Sequence, residues 1–131
     1  MRLVIDANVV VQVQISGGQL GRLSGHELVG PPLLMAEATS SIRELVFRGE
    51  IPPERGRGFV DGLADLPITI VEPEGLRTAV WDVSVDLGWA KTYDAEYVAL
   101  ALLLASPIVS LDLRMQRGAS RVVQVITPNE L

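Results

Sequence analysis

Short runs of β-forming residues alternate with longer helix-like segments along the whole chain, and this alternation constrains the fold more than any other feature. Two of the runs, Leu3-Val4-Ile5 and Ile108-Val109-Ser110-Leu111, are almost continuously apolar. Strands that are apolar on both faces are typical of parallel sheets with helices on both sides. The sequence therefore predicts an α/β fold of three layers, α/β/α, around a parallel, five-stranded sheet.

The order of the predicted elements follows from apolar periodicity and from the positions of glycine and proline. The predicted strands are Arg2 to Ile5, Leu28-Val29, Ile68 to Val71, Ile108 to Leu111 and Arg121 to Ile126. The predicted helices are Ala7 to about Ile15, Gln19 to Glu27, Leu33 to Arg48, about Pro53 to Asp65, Glu74 to Leu87, Tyr93 to Ala105 and a short helix after Asp112. Thr92 is predicted to cap the Tyr93 helix, whose apolar residues on nearly all sides indicate a central, buried position. At 131 residues, the chain is expected to form one domain over residues 1–131.

The composition excludes several classes of site. The chain has no cysteine and one histidine, so thiolate zinc sites, iron–sulfur clusters and histidine-rich metal centres are excluded within one chain. The histidine, His26, lies between Gly25 and Glu27, which favours a surface turn. No apolar run approaches the roughly 20 residues that span a bilayer, and Asp6 comes too early for a signal peptide. We therefore expect a cytoplasmic protein.

The net charge of −5 argues only weakly against nucleic-acid binding. Nucleic-acid binders are usually basic. A site that concentrates carboxylates for metals, however, lowers the net charge without forbidding a local basic rim.

Four acidic residues occupy equivalent places in the predicted elements. Asp6 and Asp112 each follow an apolar strand, and Glu37 and Asp94 lie in the first turns of helices. Open α/β sheets bind ligands beyond the carboxyl ends of their strands. Two charges about 5 Å apart repel by roughly 3 kcal/mol at an effective dielectric of about 20. A divalent cation removes that cost, and oxygen ligands suit Mg²⁺ or Mn²⁺.

Structural roles remain open for these acids. Asp6 can cap the following helix, Asp94 can interact with a helix dipole, and Asp112 can lie in a turn. Glu96 is the solvated alternative to Asp94 on the same helical turn. Glu44 lies two turns after Glu37 and is expected on a solvated face.

Four segments of the chain together carry a family resemblance: Val4–Val9, Pro32–Glu37, Tyr93–Ala101 and Ser110–Arg114. They resemble the PIN domain, and more narrowly the VapC-like toxins of bacterial and archaeal toxin–antitoxin pairs. The resemblance covers essentially the whole chain, and Tyr-Asp-Ala-Glu-Tyr-Val-Ala-Leu-Ala is its most specific segment. The chain departs from the family at Asn8, where serine or threonine is frequent, and at Leu102, where many members have glutamate.

The resemblance implies a metal-dependent ribonuclease that is neutralised by a cognate antitoxin and forms a homodimer. It implies that the catalytic and metal-binding residues are Asp6, Glu37, Asp94 and Asp112, with Mg²⁺ or Mn²⁺ as cofactor and RNA as substrate. The candidate substrate-binding residues are Asn8, Lys91, Ser110 and Arg114. The segment Arg55-Gly56-Arg57-Gly58 is either a phosphate-binding segment or a solvated turn.

Two other classes of function differ from this pattern in testable ways. A phosphatase of the haloacid-dehalogenase type needs a second aspartate at the place of Asn8, and a receiver domain needs a lysine after a late strand, whereas the only lysine, Lys91, precedes a helix. A non-catalytic PIN-fold module that binds RNA or protein remains the alternative.

Overall fold

The computed structural model describes residues 1–131 and contains five strands and six α-helices. The strands are β1 (Arg2–Ile5), β2 (Glu27–Gly30), β3 (Ile68–Ile70), β4 (Ile108–Val109) and β5 (Val125–Ile126). The helices are α1 (Ala7–Ile15), α2 (Leu33–Phe47), α3 (Pro53–Gly62), α4 (Leu76–Leu87), α5 (Tyr93–Leu104) and α6 (Leu113–Ala119). Three short 3-10 helices complete the fold: Gly21–Leu23, Leu63–Asp65 and Pro128–Glu130.

The five strands form one sheet in the order β3-β2-β1-β4-β5, and every neighbouring pair is parallel. The helices fall into two packing groups, α1 with α2 and α3, and α4 with α5. This arrangement is expected when helices cover both faces of a parallel sheet. The predicted α/β class and the five-stranded parallel sheet are therefore confirmed.

The centre of the core lies where β1 meets α5. Leu3, Val4 and Ile5 of β1 are fully buried, and so is the continuous segment Tyr97–Ala101 of α5. The prediction that the Tyr93 helix is central is confirmed. None of the helices combines the length and the apolar character needed to cross a bilayer.

Several local predictions were wrong. The helix predicted from Gln19 to Glu27 is only the 3-10 turn Gly21–Leu23, because Gly21 and Gly25 adopt left-handed φ values of 56° and 85°, which interrupt a right-handed helix. Thr92 precedes α5 but makes no capping hydrogen bond, since its backbone is αR rather than extended. Strands β4 and β5 are each two residues long, shorter than the predicted Ile108 to Leu111 and Arg121 to Ile126.

The segment Arg55-Gly56-Arg57-Gly58 lies inside α3 and is neither a turn nor a loop around a phosphate. Gly56 is buried against α2, and a Cβ atom at this position would lie 2.3 Å from Cγ2 of Val46. The glycine therefore allows α2 and α3 to approach closely. Arg55 and Arg57 point to solvent.

Candidate active site

Asp6 joins the end of β1 to the start of α1 and is buried. Its Oδ1 atom accepts a hydrogen bond from the backbone N–H of Ala7 at 2.8 Å, which caps α1. Its Oδ2 atom accepts from the hydroxyl of Ser110 at 2.7 Å and from the side-chain amide of Asn8 at 3.2 Å. The capping role considered from sequence is real, and it leaves the carboxylate at the carboxyl edge of the sheet.

Ser110 and Asn8 connect the ends of β1 and β4. The Ser110 hydroxyl donates to Asp6 and accepts the backbone N–H of Asp112 at 3.0 Å. Oδ1 of Asn8 accepts the backbone N–H of Leu111, also at 3.0 Å. Asp6 and Asp112, which lie more than 100 residues apart in the sequence, are thus held in one hydrogen-bond network.

Asp112 caps α6 and pairs with a cation. Its Oδ1 accepts the backbone N–H of Arg114 at 2.8 Å, and its Oδ2 lies 3.2 Å from Nη2 of the same arginine. Partial desolvation raises the pKa of Asp112, but these hydrogen bonds and the Arg114 charge outweigh it, so the pKa is lowered overall. Asp112 is therefore the most readily ionised carboxylate of the four.

Glu37 lies in α2 and is fixed by a tyrosine of α5. The Tyr97 ring is fully buried, and its hydroxyl donates a hydrogen bond to Oε1 of Glu37. Desolvation raises the pKa of Glu37, as do the charges of Asp6 and Asp94, and the Tyr97 hydrogen bond opposes this rise. No role was predicted for Tyr97 from the sequence. A tyrosine within a buried apolar helix needs a partner for its hydroxyl, and that requirement was the available signal.

The four carboxylates interact electrostatically across one crevice. Burial raises the pKa of Asp6 despite its hydrogen bonds, and the charges of Asp94 and Asp112 raise it further. Burial also raises the pKa of Asp94, which the Arg114 charge opposes and the Asp112 charge reinforces. Burial is the main cause of these shifts, and the repulsion between the carboxylates that adds to them is the part that a cation in the crevice would relieve.

The acids do not form a closed cage. No group of three carboxylates in the chain converges tightly enough to surround one ion. The donors are nevertheless the oxygen ligands that Mg²⁺ and Mn²⁺ favour, and Mg²⁺ usually takes one or two carboxylates and keeps several waters. The donor set therefore fits a hydrated divalent cation.

Glu96 is not solvated, and the expectation from sequence was wrong on this point. Its side chain is 8% exposed and forms a bidentate ion pair with Arg77 of α4. The pair joins α4 to α5, with the Arg77 side chain largely exposed. By contrast Glu44, the alternative to Glu37, is exposed as expected.

A cleft of about 550 Å³ extends the site along the segment between α4 and α5. Glu37 and Asp94 line it, and so do the two predicted basic residues, Lys91 and Arg114. The structure therefore brings acidic and basic candidates to one cleft, whereas Asn8 and Ser110 contact Asp6 rather than line this cleft.

Comparisons with known proteins agree with this architecture. No family model matches the chain. The chain is 32% identical over 114 residues to VapC ribonuclease Mb0985 of Mycobacterium bovis. The aligned region covers 86% of this chain and 87% of that protein. Ribonuclease VapC9 of Mycobacterium tuberculosis matches with the same identity and coverage.

Solved structures share the fold at low sequence identity. PAE2754 from Pyrobaculum aerophilum superposes with a TM-score of 0.74 at 16% identity, covering 96% of this chain and 90% of that chain. VapBC2 from Rickettsia felis, bound to a DNA fragment from its promoter, has a TM-score of 0.70 at 11% identity, covering 97% of this chain and 98% of that chain. VapBC-1 from nontypeable Haemophilus influenzae has a TM-score of 0.61 at 15% identity, covering 98% of this chain and 99% of that chain. Because the mycobacterial relatives match at 32% identity over nearly their whole length, the chain belongs to the VapC ribonuclease family.

Proposed function

We propose that the chain is the toxin of a toxin–antitoxin pair and acts in the cytoplasm as an endoribonuclease. The proposed reaction is hydrolysis of RNA phosphodiester bonds at Asp6, Glu37, Asp94 and Asp112. One observation carries the proposal: four carboxylates from distant segments interact across one crevice at the carboxyl edge of the sheet, and three of them have raised pKa values. The named activity of the mycobacterial relatives supports it.

Mg²⁺ or Mn²⁺ is the proposed cofactor, and the same four carboxylates would hold one or two ions. When bound, the metal would supply positive charge that stabilises the charge developing on the phosphate and leaving oxygens. The chain's own residues position the acids: Ser110 and Asn8 orient Asp6, and Tyr97 orients Glu37. Zn²⁺ is expected to be a poor substitute because neither cysteine nor histidine lines the crevice.

Sequencing the ends produced from RNA tests this proposal. Total RNA from the source organism is incubated with the protein in Mg²⁺ or in EDTA. We expect new ends in Mg²⁺ only, and none with Asp94→Asn, which keeps the side-chain shape but removes the charge. Glu44→Gln is the matched control on the exposed face of α2 and should cleave normally. Full activity in EDTA would contradict the metal mechanism.

A non-catalytic module with this fold is the second candidate, and it is favoured by the open spacing of the carboxylates, no three of which surround a single ion. Calorimetric titration distinguishes the two. A nuclease should take up Mg²⁺ at millimolar concentration, and the uptake should weaken in Asp94→Asn. A module without catalytic function should give no binding heat.

The proposed protein partner is a cognate antitoxin, which the VapBC complexes of the same fold support. A basic side chain inserted among the four carboxylates would satisfy the same charges as a cation. Expression of the chain alone should therefore slow growth of a host cell, and the antitoxin should restore it. Asp94→Asn should be harmless. Equal growth with both forms, together with no cleavage of the native organism's RNA, would refute the toxin function.

We also propose that the protein is a homodimer. The packed helices α4 and α5 both carry exposed large apolar residues, among them Trp81 and Val85 on α4 and Leu102 and Leu103 on α5. Exposed apolar surface of this kind often marks an interface. Light scattering should give twice the chain mass for the native protein and a smaller mass for Trp81→Asp. Phe47→Asp, at an exposed position on α2, is the control.

A further inference from the structure

Two aromatic side chains line the same cleft as Glu37 and Asp94. The chain has two tryptophans and two tyrosines, and one of each, Trp89 and Tyr93, lies in this cleft. Tyr93 is 57% exposed and its hydroxyl has no hydrogen-bond partner in the protein. Burial and hydrogen bonding therefore do not explain an aromatic ring at this position.

Trp89 is held in place by the neighbouring helix. It is half-buried, and a Cβ atom at Gly118 of α6 would lie 3.0 Å from its indole ring. The ring packs closely on α6 at this glycine, so its position in the cleft is set by the fold. The other ring of the pair, Tyr93, is exposed.

The cleft also contains an unpaired cation. Lys91 is the only lysine of the chain and is exposed, and none of the five ion pairs includes it. It is two residues from Tyr93, in a chain of net charge −5. A free cation beside an exposed aromatic ring complements a phosphate beside a nucleobase, since bases stack on aromatic side chains and phosphates pair with lysine.

We propose that Tyr93 stacks on an unpaired nucleobase of the RNA, next to Trp89, while Lys91 binds an adjacent phosphate. This inference rests on the proposed ribonuclease function and adds to it a base-binding subsite beside the scissile bond. A base within a duplex is already stacked on its neighbours and cannot be held in this way. The subsite would position the strand so that a phosphodiester lies over the four carboxylates.

Binding without cleavage tests the subsite first. Fluorescence anisotropy follows a labelled single-stranded RNA 20-mer of mixed sequence in EDTA. Tyr93→Leu removes the aromatic face and should weaken binding by about 5-fold or more, because stacking contributes about 1–3 kcal/mol per base. Tyr93→Phe keeps the face and should bind as the native protein does. Phe47→Leu, which removes an exposed aromatic ring outside the cleft, is the matched control.

The salt dependence separates the two contacts. Lys91→Gln should reduce the slope of log affinity against log salt by about 0.7, the value for one phosphate contact on a single strand. Tyr93→Leu should leave that slope unchanged. An unchanged slope in Lys91→Gln would overturn the phosphate contact.

Cleavage in Mg²⁺ distinguishes failure of the subsite from failure of the nuclease. If the native protein cleaves RNA and Tyr93→Leu has an unchanged KM and unchanged affinity, the stacking proposal is wrong while the ribonuclease function stands. If the native protein cleaves no RNA, the proposed function itself fails. Normal RNA affinity combined with lost antitoxin binding in Tyr93→Leu would also overturn the proposal and assign the ring to the protein interface.

Discussion

Removal of the Tyr97 hydroxyl by Tyr97→Phe should destabilise the protein by an amount that depends on pH. The ring is fully buried and stays in place, so no cavity of appreciable size forms. The substitution removes one hydrogen bond to Glu37, which is worth about 1.5–3 kcal/mol when the acceptor is charged and about 0.5–1.5 kcal/mol when it is neutral. Because Glu37 is only partly buried and water partly replaces the lost donor, we expect the lower end of each range.

The sign of the pH effect follows from the protonation state of Glu37. At pH 8 the carboxylate is charged and the lost bond is the strong one. As pH falls through the raised pKa of Glu37, the acceptor becomes neutral and the cost of Tyr97→Phe should shrink. The variant should also bind Mg²⁺ more weakly, since loss of the hydrogen bond raises the pKa of Glu37 further and frees its side chain to move.

Urea unfolding followed by circular dichroism at pH 8 and pH 5 measures this difference. Tyr93→Phe is the control, because its hydroxyl is exposed and unbonded, and it should change the free energy of unfolding by less than about 0.5 kcal/mol at either pH. The hydrogen bond to Glu37 would be refuted as a functional contact by either of two results. One is a loss of unfolding free energy in Tyr97→Phe no larger than that in Tyr93→Phe, and the other is the same loss at both pH values.

Three further outcomes are expected. Arg77→Ala should cost about 1–3 kcal/mol of unfolding free energy because it leaves the buried carboxylate of Glu96 unpaired, whereas Arg57→Ala breaks an exposed pair and should cost less than about 1 kcal/mol. Gly56→Ala should lower the free energy of unfolding by about 1–3 kcal/mol, because the added methyl group forces α2 away from α3. The control Gly58→Ala in the same helix meets open space and should be neutral or stabilising by up to about 1 kcal/mol. Equal effects of the two variants would argue against the close approach of the helices. In the metal-free protein, the three carboxylates with raised pKa values bind protons more tightly in the folded state than in the unfolded state. The free energy of unfolding should therefore rise as pH falls from 8 through those pKa values. Mg²⁺ affinity should fall over the same pH range, and calorimetry at several pH values measures both quantities.

The elements that sequence analysis predicted well are those with strong local patterns. β1, α1 and α5 are largely apolar and α2 has an apolar stripe, and the structure places all four within one residue of the prediction. The strands β4 and β5 are shorter than predicted because only two residues of each pair with a neighbouring strand, although the apolar runs are longer. Apolar character identifies what can be buried, whereas pairing decides what is counted as a strand.

The features that sequence analysis missed depend on contacts between distant elements. Glu96 looked solvated because its partner, Arg77, lies 19 residues earlier in another helix. Tyr97 received no role because its partner, Glu37, lies 60 residues earlier. The edge of the sheet could be inferred for Asp6 and Asp112, which follow strands directly, but the hydrogen bonds that fix these residues could not.

The position of β1 in the middle of the sheet has a consequence for the order in which this protein can become active during synthesis. β1 is made first, yet its neighbour β4 and the hydroxyl that orients Asp6 come from residues more than 100 positions later. A nascent chain that has emerged from the ribosome only as far as α5 contains three of the four acids but lacks Ser110, Asp112 and one side of β1's pairing. The proposed nuclease site is therefore incomplete until Ser110 and Asp112 have left the ribosome, and a partner can be present before the site forms.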